Sequence, residues 1–140
     1  MANNTLKAGL SITGIPAFSD NYIWLAANGH RALVVDPGDA DVVLNTIRER
    51  GLDLETVLIT HHHPDHTGGL SKLLDELPDL RIIGPKNPKI TQINERVSEG
   101  DRIVVLDSLD LQVIEVPGHT LDHIAFFASA ENQDSQDNAI

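Results

Sequence analysis

The chain contains no cysteine. That absence excludes disulfides, thiolate zinc sites, iron–sulfur clusters and a cysteine nucleophile. No stretch approaches the roughly 18 consecutive apolar residues of a membrane-spanning helix. The first residues, Met1 to Lys7, lack the basic region and apolar core of a secretory signal. A soluble cytoplasmic protein is therefore the expectation. Positive charge is also scarce: 10 Lys and Arg face 21 Asp and Glu, a formal net charge of −11. No Lys or Arg follows Arg102, whereas Asp107, Asp110, Glu115, Asp122, Glu131, Asp134 and Asp137 all do. A surface this acidic repels nucleic acid and anionic membranes, so neither is an expected partner.

What is present suits one folded domain. The 140 residues are 41% apolar, enough for a core. Alternation predicts strands over 10–15, 21–27 and 32–35, joined as a meander. Asp39 or Asp41 can cap a helix running to Arg50, with Gly51 just past its end. Strands are predicted over 55–60, 81–84, 103–106, 109–116 and 124–128, and a second helix from Gly69 to Leu77, stopped by Pro78. Pro85 and Pro88 allow at most a short helix over 85–96. The order predicts an α/β chain with a mixed sheet and helices packed outside it. Residues 1–129 read as the domain and 130–140 as a polar tail.

Seven histidines are distributed unevenly. Four lie in the segment Thr60-His61-His62-His63-Pro64-Asp65-His66-Thr67-Gly68-Gly69, between a predicted buried strand and a predicted helix. The C-terminal edge of a sheet is where open α/β folds place their sites. His61 and His63 are two apart, so in extended backbone both imidazoles reach one ion while His62 faces away. Asp65 and His66 enter the next turn and can reach a second ion. Imidazole and carboxylate without thiolate suit Zn²⁺, Fe or Mn²⁺. His119, in Pro117-Gly118-His119-Thr120, lies beyond another strand and is the natural third ligand beside His61 and His63. A solvated loop or a metal-scavenging tract is the bland alternative. Asp36 ends a strand, where it can form a turn or orient a ligand histidine; His62 and His123 are further supporting candidates. His123 is equally readable as a core histidine. Phe18, Tyr22 and Trp24 read as core or rim.

These segments resemble the metallo-β-lactamase superfamily, and within it the hydroxyacylglutathione hydrolase (glyoxalase II) branch. The resemblance rests on Thr60-His61-His62-His63-Pro64-Asp65-His66, on Pro117-Gly118-His119-Thr120 with His123, on residues 18–24 and on Val34-Val35-Asp36-Pro37-Gly38-Asp39. It implies an αββα sandwich, of which this chain would hold the N-terminal half to two-thirds. It implies hydrolysis of S-lactoylglutathione, the glutathione thioester partner, to D-lactate and glutathione in methylglyoxal detoxification. By motif position His61, His63 and His119 would hold the first zinc, and Asp65 and His66 the second. A metal-bound hydroxide would be the nucleophile, so no side chain is assigned as catalytic.

Family members are nearly twice this length. Their bridging aspartate, a further histidine and their glutathione-binding side chains lie in later sequence. Neither Asp134 nor Asp137 sits in the family's Gly-Asp setting. The chain is accordingly expected to hold at most one metal tightly and to turn over lactoylglutathione poorly. The competing readings are a persulfide dioxygenase, a lactonase, or a non-catalytic metal-binding fragment. A nuclease is disfavoured by the charge.

Overall fold

The computed structural model describes residues 3–7, 10–17, 21–61, 69–107, 109–116 and 123–128. A seven-stranded mixed sheet forms its centre, in the sequential order β1-β2-β3-β4-β5-β6-β7. These strands are β1 (Asn3–Lys7), β2 (Leu10–Ala17), β3 (Asn21–Asn28), β4 (Arg31–Val35), β5 (Asp53–Leu58), β6 (Arg81–Pro85) and β7 (Glu95–Val97). The first four pair antiparallel, and β4 through β7 pair parallel. The switch has a local cause. Gly29, at φ +63°, closes a tight β3–β4 turn. The β4–β5 connection instead contains the helix α1 (Ala40–Arg50), a crossover that returns the chain parallel.

The sequence specifies both ends of α1. The Asp39 carboxylate accepts hydrogen bonds from the Asp41 and Val42 amides at 3.0 and 3.4 Å. Gly51 adopts the left-handed conformation at φ +64° and donates its amide to Arg48, while Leu52 donates to Ile47. Val43, Leu44 and Ile47 are buried. Each such side chain contributes roughly 1.5–3 kcal/mol on leaving water. The second helix, α2 (Leu70–Glu76), buries Leu70 and Leu73 beside it.

A second sheet of three antiparallel strands, β8 (Arg102–Val105), β9 (Leu109–Glu115) and β10 (Ile124–Ala128), runs in the order β10-β9-β8. Alternation along the central strands divides the core. Ala32, Val34, Val57 and Ile59 join a cluster shared with α1 and α2. Leu33, Val35 and Leu58 join a second cluster with Leu111, Val113 and Phe126 of the small sheet. Helices, large sheet and small sheet are thus three stacked layers. The described residues supply three of the four layers that the resemblance implies.

Two strands, β1 and β7, were not anticipated. Residues 85–96, where Pro85 and Pro88 allow at most a short helix, contain turns and the start of β7. There Arg96 donates to the carbonyls of Asn87 and Ile90 at 2.7 and 2.9 Å, drawing in groups a helix would bond internally. Asn94 takes the Ile82 amide on its side-chain oxygen and returns its NH₂ to Leu80, fastening the segment to β6. Finally, the strand predicted over 55–60 ends at Leu58, because Thr60 turns out of the ladder.

Candidate metal centre

The parallel strands β4, β5 and β6 deliver Asp36, His61 and Lys86 to one edge of the large sheet. Asp36 sits at φ +49°, a left-handed conformation that Asp tolerates better than most residues. Its amide donates to Leu58, and its carboxylate faces the β5 exit. One oxygen accepts the Thr60 amide at 2.8 Å, and the other accepts the Thr60 hydroxyl at 2.6 Å. The Thr60 oxygen lies 2.8 Å from Nδ1 of His61. His61 is only 5% exposed.

This chain of contacts assigns the histidine tautomer. An ionised carboxylate is acceptor-only, so the single hydroxyl proton of Thr60 points to Asp36. The Thr60 oxygen then accepts, and Nδ1 of His61 must carry the hydrogen. In the neutral ring the lone pair lies on Nε2. That is the donor a divalent metal needs, and orientation of a ligand histidine by a bonded carboxylate relay is the usual support for one. The half-buried ring of His123 lies against His61, with centroids 4.7 Å apart.

His62, His63, Asp65 and His66 fall in 62–68, and His119 falls in 117–122; both segments lie outside the described residues. Their flanks are described. The first segment begins at His61, tied through Thr60 to Asp36. It ends at Gly69, whose amide donates to Pro37 at 3.2 Å. A Cβ on Gly69 would stand 2.5 Å from the Pro37 carbonyl oxygen, so only glycine allows that approach. The second segment begins at Val116 and ends at His123, and the Val116 amide donates to the His123 carbonyl at 2.9 Å. The Ile124 amide donates to the Thr60 carbonyl at 2.8 Å, stitching the two sheets beside His61. The described flanks of both histidine-bearing segments therefore lie around Asp36-Pro37, Thr60-His61 and His123-Ile124. Among the described residues alone, no three His, Asp or Glu side chains converge on one point. The donor chemistry of His61 nevertheless fits a metal ligand.

The supporting role expected of Asp36 has a geometry here. Thr60, its intermediary, was missed; the signal was its place between a strand and the histidine run. Tyr22 and Trp24, read as core or rim, are 56% and 44% exposed and stack at 5.9 Å. They share a face of β3 with Ala26, whose side is covered by the small sheet. Gly14 pairs with Trp24 beneath the two rings.

The chain belongs to the metallo-beta-lactamase superfamily, whose profile matches residues 17–132. Among individual proteins, it is 47% identical to the hydroxyacylglutathione hydrolase of Photobacterium profundum over 118 residues, covering 84% of this chain and 46% of that one. It is 47% identical over 120 residues to the enzyme of the same name from Erwinia tasmaniensis, covering 85% and 47%. The chain thus spans about half the length of these relatives. The crystal structure of ETHE1 from Myxococcus xanthus superposes with a TM-score of 0.69 at 29% identity, covering 84% of this chain and 53% of that one. The B3 metallo-beta-lactamase BLEG-1 superposes with a TM-score of 0.73 at 17% identity, covering 86% and 68%, and shares the fold. Among the described residues no helix is long and apolar enough to cross a membrane.

Proposed function

We propose that this chain is the metal-holding portion of a cytoplasmic thioester hydrolase of the hydroxyacylglutathione hydrolase type, acting on S-lactoylglutathione. One observation carries the reading: the Asp36–Thr60–His61 relay, on which both histidine-bearing segments close. The names of relatives with 47% identity support the substrate class.

His61, His63 and His119 would hold one metal, and Asp65 and His66 a second. Zinc is the first choice, with Fe or Mn²⁺ acceptable to the same donors. When bound, the metal supplies Lewis acidity, lowering the pKa of water and polarising the thioester carbonyl. The chain's own contribution is orientation. Asp36 holds the Thr60 hydroxyl, which fixes the His61 ring and its tautomer. The His123 ring packs against it, with centroids 4.7 Å apart. A thiolate is a good leaving group, so no strong protein acid is required at the sulfur.

The test is metal analysis together with S-lactoylglutathione hydrolysis. It is run on this chain and on a chimera joining it to the C-terminal half of the Photobacterium relative. The expectation is at most one tightly held metal and slow turnover for the 140 residues, and two metals with faster turnover for the chimera. A chimera that binds metal but leaves the thioester intact refutes the substrate class. Two equivalents of metal and full thioesterase rates in the 140-residue chain refute the division of labour.

A further inference from the structure

The candidate metal centre occupies the edge of the large sheet where the parallel strands end. A cavity of about 390 Å³ lies at the opposite edge, where Arg31 opens β4 and Arg81 opens β6. Val104, Leu106 and Asp107 of the small sheet complete its wall. Two irregularities shape it. Between the pairs Ala32–Leu54 and Leu33–Thr56, β5 holds one residue more than β4, and that extra residue is Glu55. Leu54 consequently packs with the helices and Leu58 with the small sheet, although even spacing would put both on one face. Thr56 shares the face of Leu58. After β8, Leu106 and Asp107 adopt φ +51° and +68°. A buried, bulky side chain such as Leu106 holds that conformation only where its surroundings impose it. Here Asp107 lies 3.4 Å from Arg31, and Arg81 donates to the Val104 carbonyl at 2.8 Å.

The polar groups around the cavity are unevenly matched. Glu55 holds Arg31 at 2.9 Å, and Glu95 holds Arg81 at 2.8 Å, so both guanidinium charges are committed. Asp79 lines the cavity and pairs with no cation among the described residues. Thr56 lines the same cavity and is only 1% exposed, yet its hydroxyl has no hydrogen-bond partner among the described residues. Folded proteins pair such buried groups, so this one points to an occupant. Two arginines stand against four acids, Glu55, Asp79, Glu95 and Asp107. The surroundings are therefore negative and rich in acceptors. Among the described residues no three His, Asp or Glu converge to hold a metal ion. Separate N–H donors can instead reach separated acceptors one at a time.

We propose that this cavity binds a small alkyl diammonium ion, whose N–H donors meet the Asp79 carboxylate and the Thr56 hydroxyl. Its two charges match the two that the acids leave over. The site is distinct from the candidate metal centre and does not rest on the thioester reading. An occupant between the two sheets would also stabilise the folded chain by mass action.

The probe is 1,4-diaminobutane dihydrochloride. It is titrated into the full chain at constant ionic strength while the amide resonances of Thr56, Asp79, Arg81 and Leu106 are followed. Saturable shifts centred on those residues are expected, and magnesium chloride at the same concentration should not reproduce them. Butylamine, with one charge, should bind about two- to fivefold more weakly, and Asp79→Asn should weaken diaminobutane binding by a similar factor. Thr56→Val keeps the shape of the side chain and removes only the unpartnered hydroxyl. It should weaken binding about tenfold and unfold at no lower urea concentration than wild type. Shifts spread over the acidic surface, or equal shifts with magnesium, would reduce the effect to counterion attraction and overturn the proposal. So would unchanged binding in either variant. A Thr56→Val chain clearly less stable than wild type would mean that the hydroxyl is already satisfied, and would overturn it too.

Discussion

Substituting Asp36 by Asn tests the relay at its origin. Asparagine keeps the size of the side chain and tolerates φ +49°, so the backbone is not strained. The Thr60 amide must still meet an oxygen, since the alternative sets two donors face to face. The Asn NH₂ therefore falls where the second carboxylate oxygen was, against the Thr60 hydroxyl. That hydroxyl can no longer donate to residue 36, so it donates to Nδ1 of His61. The imidazole hydrogen then moves to Nε2, and the lone pair offered to the metal is lost. Binding metal through Nε2 would force the old tautomer back and leave a buried donor without an acceptor. That costs about 1–3 kcal/mol, or roughly fivefold to 150-fold in affinity. Zinc affinity is measured by competition with a chelator, and the tautomer by the ¹⁵N shifts of the His61 ring. Wild-type protein should show hydrogen on Nδ1 and the variant hydrogen on Nε2. The reasoning is refuted if the wild-type ring carries its hydrogen on Nε2, or if Asp36→Asn binds zinc within twofold of wild type.

Thr60→Ser should keep zinc affinity near wild type and Thr60→Val should lose it about tenfold or more, since only the hydroxyl carries the relay. Equal loss in both, read by the same competition, would make the residue's role steric. Gly69→Ala places a Cβ against the Pro37 carbonyl and the Ala40 amide, both backbone, and should cost about 1–3 kcal/mol in urea unfolding. A neutral result would mean that the Asp36-Pro37 turn is not pinned there. Hydrogen bonding to Arg81 holds the Glu95 carboxyl below its ordinary range. The unfolded chain therefore binds the proton first, and the pair's contribution is present above about pH 4.5 and lost as pH falls through the folded value. Both side chains are more than a third exposed, so Glu95→Gln should cost under about 1 kcal/mol at pH 7. Its stability curve should be flatter than wild type below pH 4.5; an unchanged acid limb would contradict the pairing.

Much of the architecture was legible because local chemistry and tertiary packing agree. Asp39, Gly51 and the spacing of Val43 and Ile47 define α1 without reference to anything else. The meander followed from alternation and from Asn28-Gly29. What escaped were elements whose reason is non-local. β7 is three residues long and is held by Asn94 and Arg96 reaching across to β6 and the 85–90 turn, which no periodicity records. The division into two sheets was equally hidden, because Leu58 and Val57 look alike in sequence yet face different layers. At the site, the histidine pattern suggested metal ligands from the outset, but Thr60 read as one more β-branched strand residue. Its hydroxyl acquires meaning only when Asp36, 24 residues earlier, is brought against it.

The amide of Ile124 bonding the carbonyl of Thr60 also bears on when the centre comes into being. Residues 31–58 can pair through a single helical crossover, whereas this bond joins segments far apart in the chain. Loop closure of that span is slow and is repaid only once the small sheet docks. The histidine relay should therefore mature late, after the folding barrier rather than before it. A metal bound there would then act on lifetime: it should slow unfolding in proportion to its affinity and leave the refolding rate nearly unchanged.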